Sequence, residues 1–197
     1  MKNKGLLVLS ILVISSIISC SEKQEKQNTA IADSTAITNA PDSFIIRFLK
    51  WYQQNNTRLN RIHLVKGGGA NTTNFYAIDF GGAEQYLTEL RKSGFFSEAY
   101  LTEMKNYFSS SDRYFLQHPQ NDGPPWGFEA DLVMKAQDYQ EVWDNLTKAF
   151  IVEKSISNGK AIIKMVFGDN YKTTYFLSQL NGKWMLDKIE NDATNSL

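Results

Sequence analysis

Cysteine is almost missing from this chain: Cys20 is the only one in 197 residues. No intramolecular disulfide can form, so the folded part must hold by packing alone. Histidine is scarce too. His63 has no second ligand at metal spacing, which predicts a surface residue rather than a metal centre. Neither charge predominates, with 21 basic and 21 acidic residues. That balance argues against a nucleic-acid binder, which would need a basic face. Gly67-Gly68-Gly69 beside Lys66 has neither the spaced glycines nor the Gly-Lys-Ser/Thr ending of a nucleotide site, and it predicts a flexible loop tip. No cofactor motif is present. Residues 6–18 are almost uninterruptedly apolar, but this run is too short to span a bilayer with ordinary flanks.

That run follows Lys2 and Lys4 and ends in Ile17-Ile18-Ser19-Cys20. Charged start and apolar middle are the parts of a secretory signal. The ending resembles the lipobox of bacterial lipoproteins, although Ile18 is bulkier than the usual residue at its place. The resemblance implies a signal peptide over residues 1–19 and lipidation of Cys20, with two or more acyl chains giving stable membrane anchoring. A cleaved signal would remove Lys2 and Lys4 and leave the mature chain mildly acidic. Residues 20–42 then read as the lipidated cysteine and a flexible tether: they are rich in Ser, Thr, Asn, Gln and Ala, contain no aromatic residue, and cannot bury enough surface to offset ordering. Residues 43–197 read as one domain.

The domain is organised around residues 150–190, where β-rich runs alternate with turns. Phe150-Ile151-Val152 leads to Asn158-Gly159, residues 161–167 lead to Gly168-Asp169-Asn170, residues 171–180 lead to Asn181-Gly182, and residues 183–189 close the set. Asn-Gly between such runs is a strong hairpin signal, because a type I′ turn needs positive φ at both central residues. Upstream, Phe44, Ile45, Phe48, Leu49 and Tyr52 recur at helical spacing after Pro41-Asp42-Ser43, with Asp42 or Ser43 as cap and an end near Asn55-Asn56. A short helix over residues 83–92 ends at Ser93-Gly94. Another begins at Ser97 and should break at Ser109-Ser110-Ser111, with Asp112 capping a further turn. The fold class is α+β: N-terminal helices packed on a curved antiparallel meander.

Asp131 and Asp138 flank a short apolar run, residues 132–137, and two carboxylates can share acid/base work. Capping at Asp131 and a turn at Asp138 is the plainer reading. Tyr52, Trp126, Asp131, Gln137 and Asp138 form the candidate pocket set, and no catalytic histidine or cysteine joins them. Helices followed by a meander ending in Gly182, Trp184 and Leu186 resemble the nuclear transport factor 2-like superfamily, the cone-shaped α+β fold. Residues 48–52, Tyr100-Leu101, Asp131-Leu132 and Ala136-Gln137-Asp138 are similar to the family called domain of unknown function 3828. The resemblance covers about residues 43–190 and implies a concave sheet with a pocket at one end, often in secreted or lipid-anchored bacterial proteins. Three functions follow: a non-enzymatic module in the cell envelope binding a small molecule or a protein, an assembly or inhibitor protein acting as a homodimer, and an acid/base enzyme with Asp131 or Asp138 as base. Apolar residues on both sheet faces, such as Tyr175 against Phe176, point to a cover on the outer face, for which a second copy is one option.

Overall fold

In a computed structural model the described residues are 39–192, except 70–72 and 170. Cys20, the signal segment and most of the tether lie outside them. The first helix, α1, is Pro41–Asn60, and it starts on the rigid φ of Pro41 rather than on a side-chain cap. Ala40 holds the N-cap position with no side-chain hydrogen bond, so Asp42 and Ser43 do not cap it. The helix also runs past Asn55-Asn56, because Leu59 is fully buried and repays another turn.

After α1 a two-residue strand β1 (Val65–Lys66) pairs antiparallel with β2 (Ala77–Ile78). The glycine run sits at the end of this ribbon and is tied down: Gly68 N–H donates to the Asn74 carbonyl at 2.6 Å and Gly69 N–H to the Asn121 carbonyl at 2.7 Å. All three glycines have positive φ, and a Cβ on Gly67 or Gly68 would collide with the backbone of Phe75 or the ring of Tyr76. Backbone approach explains the glycines better than a free loop tip does.

Helix α2 (Phe80–Ser93) is capped by Asp79, whose carboxylate accepts the N–H groups of Gly81 and Gly82, and it ends on left-handed Gly94. Helix α3 spans Glu98–Gln117 behind its N-cap Ser97. It passes straight through Ser109-Ser110-Ser111. Ser109 Oγ returns a hydrogen bond to the Lys105 carbonyl, Ser111 is buried, and Phe108 and Phe115 anchor the turns on either side. Asp112 caps no new turn; its carboxylate accepts the Ile78 N–H from β2 at 3.1 Å. A short α4, Gln140–Asp144, precedes the sheet.

The sheet is a four-stranded antiparallel meander in sequence order: β3 (Phe150–Ser157), β4 (Lys160–Phe167), β5 (Tyr171–Leu180) and β6 (Lys183–Asn191). Asn158-Gly159 and Asn181-Gly182 all have positive φ, from 48° to 75°, as type I′ turns require. Ala161, Ile163, Met165 and Phe167 of β4 share a buried face with Thr173, Tyr175 and Leu177 of β5. The three long helices cover that face, α1 through Phe48 and Leu49, α2 through Tyr86 and Leu90, α3 through Leu101 and Phe108. The fold is α+β, helices over one face of an antiparallel sheet.

The two sheet edges differ. Along β6, Leu186 exchanges hydrogen bonds with the backbone of Phe95 and Ser97, which covers part of that edge. Strand β3 is exposed along nearly its whole length, and it carries a bulge between Ile151 and Glu153 with the charges of Glu153 and Lys154 beside it. A bulge and charges discourage strand addition at an open edge. On the outer face Ile162 and Phe176 stand opposite one another among Lys164, Thr174 and Lys188.

Candidate functional site

Two cavities lie between the helices and the loop leading to α4, and the short loop Asp131 to Ala136 takes part in both. The loop closes on itself: Asp131 N–H donates to the Ala136 carbonyl at 3.0 Å, and Lys135 N–H donates to the Asp131 carbonyl at 2.9 Å. Asp131 Oδ1 accepts the N–H groups of Val133 and Met134 at 2.9 and 2.7 Å. Leu132, Val133 and Met134 are thereby turned into the core as a plug. Asn191, at the end of β6, donates its Nδ2 to the Met134 and Lys135 carbonyls and ties the loop to the sheet. Lys135 is forced to a φ of 55°, a conformation costly for a side chain with a Cβ, and its ammonium is directed outward over Tyr107.

Around the first cavity, of about 310 Å³, stand Asn60, Tyr86, Phe128, Asp131, Gln137 and Tyr139. Asp131 Oδ2 accepts three side-chain donors: the Tyr52 hydroxyl at 2.6 Å, the Tyr139 hydroxyl at 3.2 Å and Asn60 Nδ2 at 3.3 Å. Burial pushes the Tyr52 phenol far above its ordinary pKa, and the neighbouring Tyr86 and Asp131 push the same way. Tyr52 is therefore a fixed donor to a fixed acceptor. With five donors on its two oxygens, Asp131 has no lone pair aimed at a substrate.

The second cavity, of about 350 Å³, lies between α3, the Asp131 loop and β6. Tyr100, Glu103, Tyr107 and Ser110 line it from α3 at helical spacing, Lys135 from the loop, and Lys188 and Ile189 from β6. Lys135 Nζ is 5.6 Å from the Tyr107 ring centroid, within cation–π reach. Desolvation lowers its pKa, against the pull of the Glu103 and Asp131 carboxylates, although the residue as a whole is exposed. Lys188 is paired with Glu190 and lies 5.8 Å from the Phe176 ring centroid. Neither Lys135 nor Glu103 has an ion-pair partner among the described residues. The Tyr100 hydroxyl is buried with no hydrogen-bond partner, a condition that costs about 1–3 kcal/mol. Burial raises the Tyr100 pKa well above the ordinary phenol value, with Asp131 and Glu103 adding to it, so the group stays a donor.

Of the residues singled out from sequence, Asp131 and Gln137 line the first cavity, and Tyr52, which does not line it, is joined to it only through its hydrogen bond to Asp131. Asp138 does not join them: its Oδ1 accepts the Gln140 N–H at 2.9 Å, at the start of α4. No hydrogen bond links the two aspartates. Trp126 lines neither cavity; it stacks on Tyr114 at 3.9 Å between centroids, and Tyr114 stacks in turn on His118 at 4.2 Å. Cys20 is outside the described residues. Sequence reasoning passed over Tyr100, Glu103, Tyr107, Lys135 and Lys188. A polar stripe at positions 103, 107 and 110 of an otherwise amphipathic helix was the available signal. Among the described residues, no group of three or more His, Cys, Asp or Glu is placed to hold a metal ion, and no helix is long and apolar enough to cross a membrane.

No protein-family model and no curated protein matches the sequence. A solved structure is similar in outline. It is the type VI native effector–immunity complex Tae3–Tai3 from Ralstonia pickettii, one chain of which aligns at 18% identity with a TM-score of 0.46, over 78% of this chain and 96% of that one. A likeness of that degree says nothing about what this chain binds.

Proposed function

We propose that the chain is a non-enzymatic binding module, tethered in the bacterial cell envelope through lipid on Cys20. The observation that carries the non-enzymatic part is the state of Asp131. The carboxylate best placed to act as a base is spent on two backbone N–H groups and three side-chain donors, and it holds the loop instead. Asp138 is an exposed turn residue without a partner acid. What remains is a pair of preformed concavities with mixed apolar and polar walls, the usual form of a small-molecule site. Helices over a meander, with Gly182 in the turn before the last strand and Trp184 and Leu186 within it, also support reading the chain as nuclear transport factor 2-like. The sequence around Cys20 supports the anchor, and the apolar residues of the outer sheet face leave a protein partner or a second copy as the other reading.

Native mass spectrometry of the full chain, purified in mild detergent from its own host, tests the module. A bound species that disappears on denaturation is expected; a clean apo mass together with turnover of any offered substrate overturns the reading. The anchor is tested separately by Cys20→Ala, which should release the chain from membranes and abolish incorporation of labelled lipid. A variant that stays membrane-bound without the label excludes the lipoprotein.

A further inference from the structure

The two cavities differ in the charge they carry. Around the second stand Lys135, Lys188 and Glu103, charges of both signs. The first is walled by Asn60, Tyr86, Phe128, Gln137 and Tyr139, and Asp131 is the one charged residue that lines it. All the donors to that carboxylate are uncharged: two backbone N–H groups, two phenols and an amide. They occupy its oxygens and leave its charge uncancelled. Among the described residues, no lysine, arginine or histidine forms an ion pair with Asp131. Lys135 is drawn by the same carboxylate, but its ammonium lies over the Tyr107 ring, which lines the other cavity. A part-buried carboxylate without a counter-ion favours a cation beside it, because the surroundings screen the attraction less than water does.

Three of the walls are aromatic. Burial raises the Tyr86 and Tyr139 phenols, and the field of Asp131 raises both further, so the rings stay neutral. An ammonium with N–H groups would need acceptors, and the oxygens of Asp131 are already taken. A quaternary ammonium has no N–H to satisfy, and charge and ring faces are enough to hold it. We propose that the first cavity binds a quaternary ammonium group, its charge set against Asp131 and its methyl groups against Tyr86, Phe128 and Tyr139. This assignment rests on the binding-module reading and gives it a site and a ligand class. A volume of about 310 Å³ accommodates such a head group with a short polar tail, and Gln137 in the same wall offers the tail an amide.

The test is calorimetric titration of the full chain in maltoside detergent with choline, ethanolamine and 3,3-dimethylbutan-1-ol, in which carbon replaces the charged nitrogen. Choline should bind about tenfold more tightly than the uncharged isostere, and more tightly than ethanolamine. Phe128→Leu keeps the wall apolar and should weaken choline several-fold while sparing the isostere. Gln137 is exposed, so its substitutions leave the core alone. Gln137→Glu should tighten choline and Gln137→Lys should weaken it, opposite signs that damage to the fold would not produce. Glycerophosphocholine carries the same head on a phosphodiester: tighter binding than choline assigns a lipid head group, weaker binding a free amine. Equal binding of choline and its isostere overturns the proposal, as does no binding at all, tighter binding of ethanolamine, or an affinity unmoved by both Gln137 variants. If choline fails while native mass spectrometry still shows a retained ligand, this site falls and the binding module stands; if both fail, the module falls with it.

Discussion

The Asp131 knot and the Tyr100 cavity share one loop and are built on opposite logics. In the knot, Tyr52, Tyr139 and Asn60 converge on a carboxylate whose other oxygen is already committed to backbone. Across the loop, the Tyr100 hydroxyl is also buried and has no hydrogen-bond partner. Buried tyrosines by themselves therefore reveal little. Their partners separate a phenol that holds structure from one that is left unpaired. The carboxylate that first suggests chemistry turns out to be scaffolding for the loop that carries Lys135.

That contrast breaks most readily at Asp131. Asp131→Asn replaces an oxygen with an amide nitrogen that itself donates, so whichever way the amide turns one set of donors faces another. A loss of about 3 kcal/mol is expected in urea unfolding, with unchanged strand content by circular dichroism. Tyr52→Phe removes one charge-assisted bond and leaves the others, and should cost about 1.5 kcal/mol in the same assay. Tyr100→Phe carries the sharpest sign. It removes an unmet donor from the interior and should stabilise the chain by up to about 1 kcal/mol, read as a higher melting temperature. Equal destabilisation by Tyr52→Phe and Tyr100→Phe would erase the distinction between the two cavities.

The smallest effect expected is a pH-dependent one, at a residue that lines neither cavity. Partial burial raises the Asp187 pKa, but hydrogen bonds from Ser97, Ser178 and Lys160 outweigh it and hold the carboxyl below its ordinary value. A depressed carboxyl contributes stability above its unfolded pKa of about 4, and that stability is lost as the pH falls through the folded value. Asp187→Asn should therefore narrow the difference in unfolding midpoint between neutral pH and about pH 3, while Glu129→Gln, on the surface loop, should not.

Much of the sheet could be read in advance because its instructions are local. Asn158-Gly159 and Asn181-Gly182 specify their own backbone, and the alternation of Ile163, Met165 and Phe167 needs no distant partner to be seen. Helix α3 could not be read so well. Three successive serines oppose it locally, and what carries it through is tertiary: Phe108 and Phe115 in the core, Asp112 holding Ile78. The candidate site was legible only in part for the same reason. Tyr52 and Asp131 were picked out separately, yet their bond spans 79 positions, and nothing near either residue announces it. Asp138 and Trp126 looked equivalent to Asp131 as neighbours in sequence; three-dimensional placement sent one to a turn and the other to a surface stack. Lys135 carried no signal at all, since its importance comes from a φ of 55° imposed by the loop around it.

The chain entering α1 is clasped before the helix begins: Trp184 Nε1 donates to the Asn39 carbonyl at 2.9 Å, and Asn39 Nδ2 donates to the Gly182 carbonyl at 2.7 Å. Any tension arriving along the N-terminal segment meets this clasp first and is delivered to the β5–β6 hairpin, not to the first turn of α1. Two hydrogen bonds loaded together yield less easily than a helix end peeled one bond at a time. The clasp thus acts as strain relief, like the grip where a cable enters its housing, and pulling on residue 39 would have to break both hydrogen bonds before it could load the first turn of the helix.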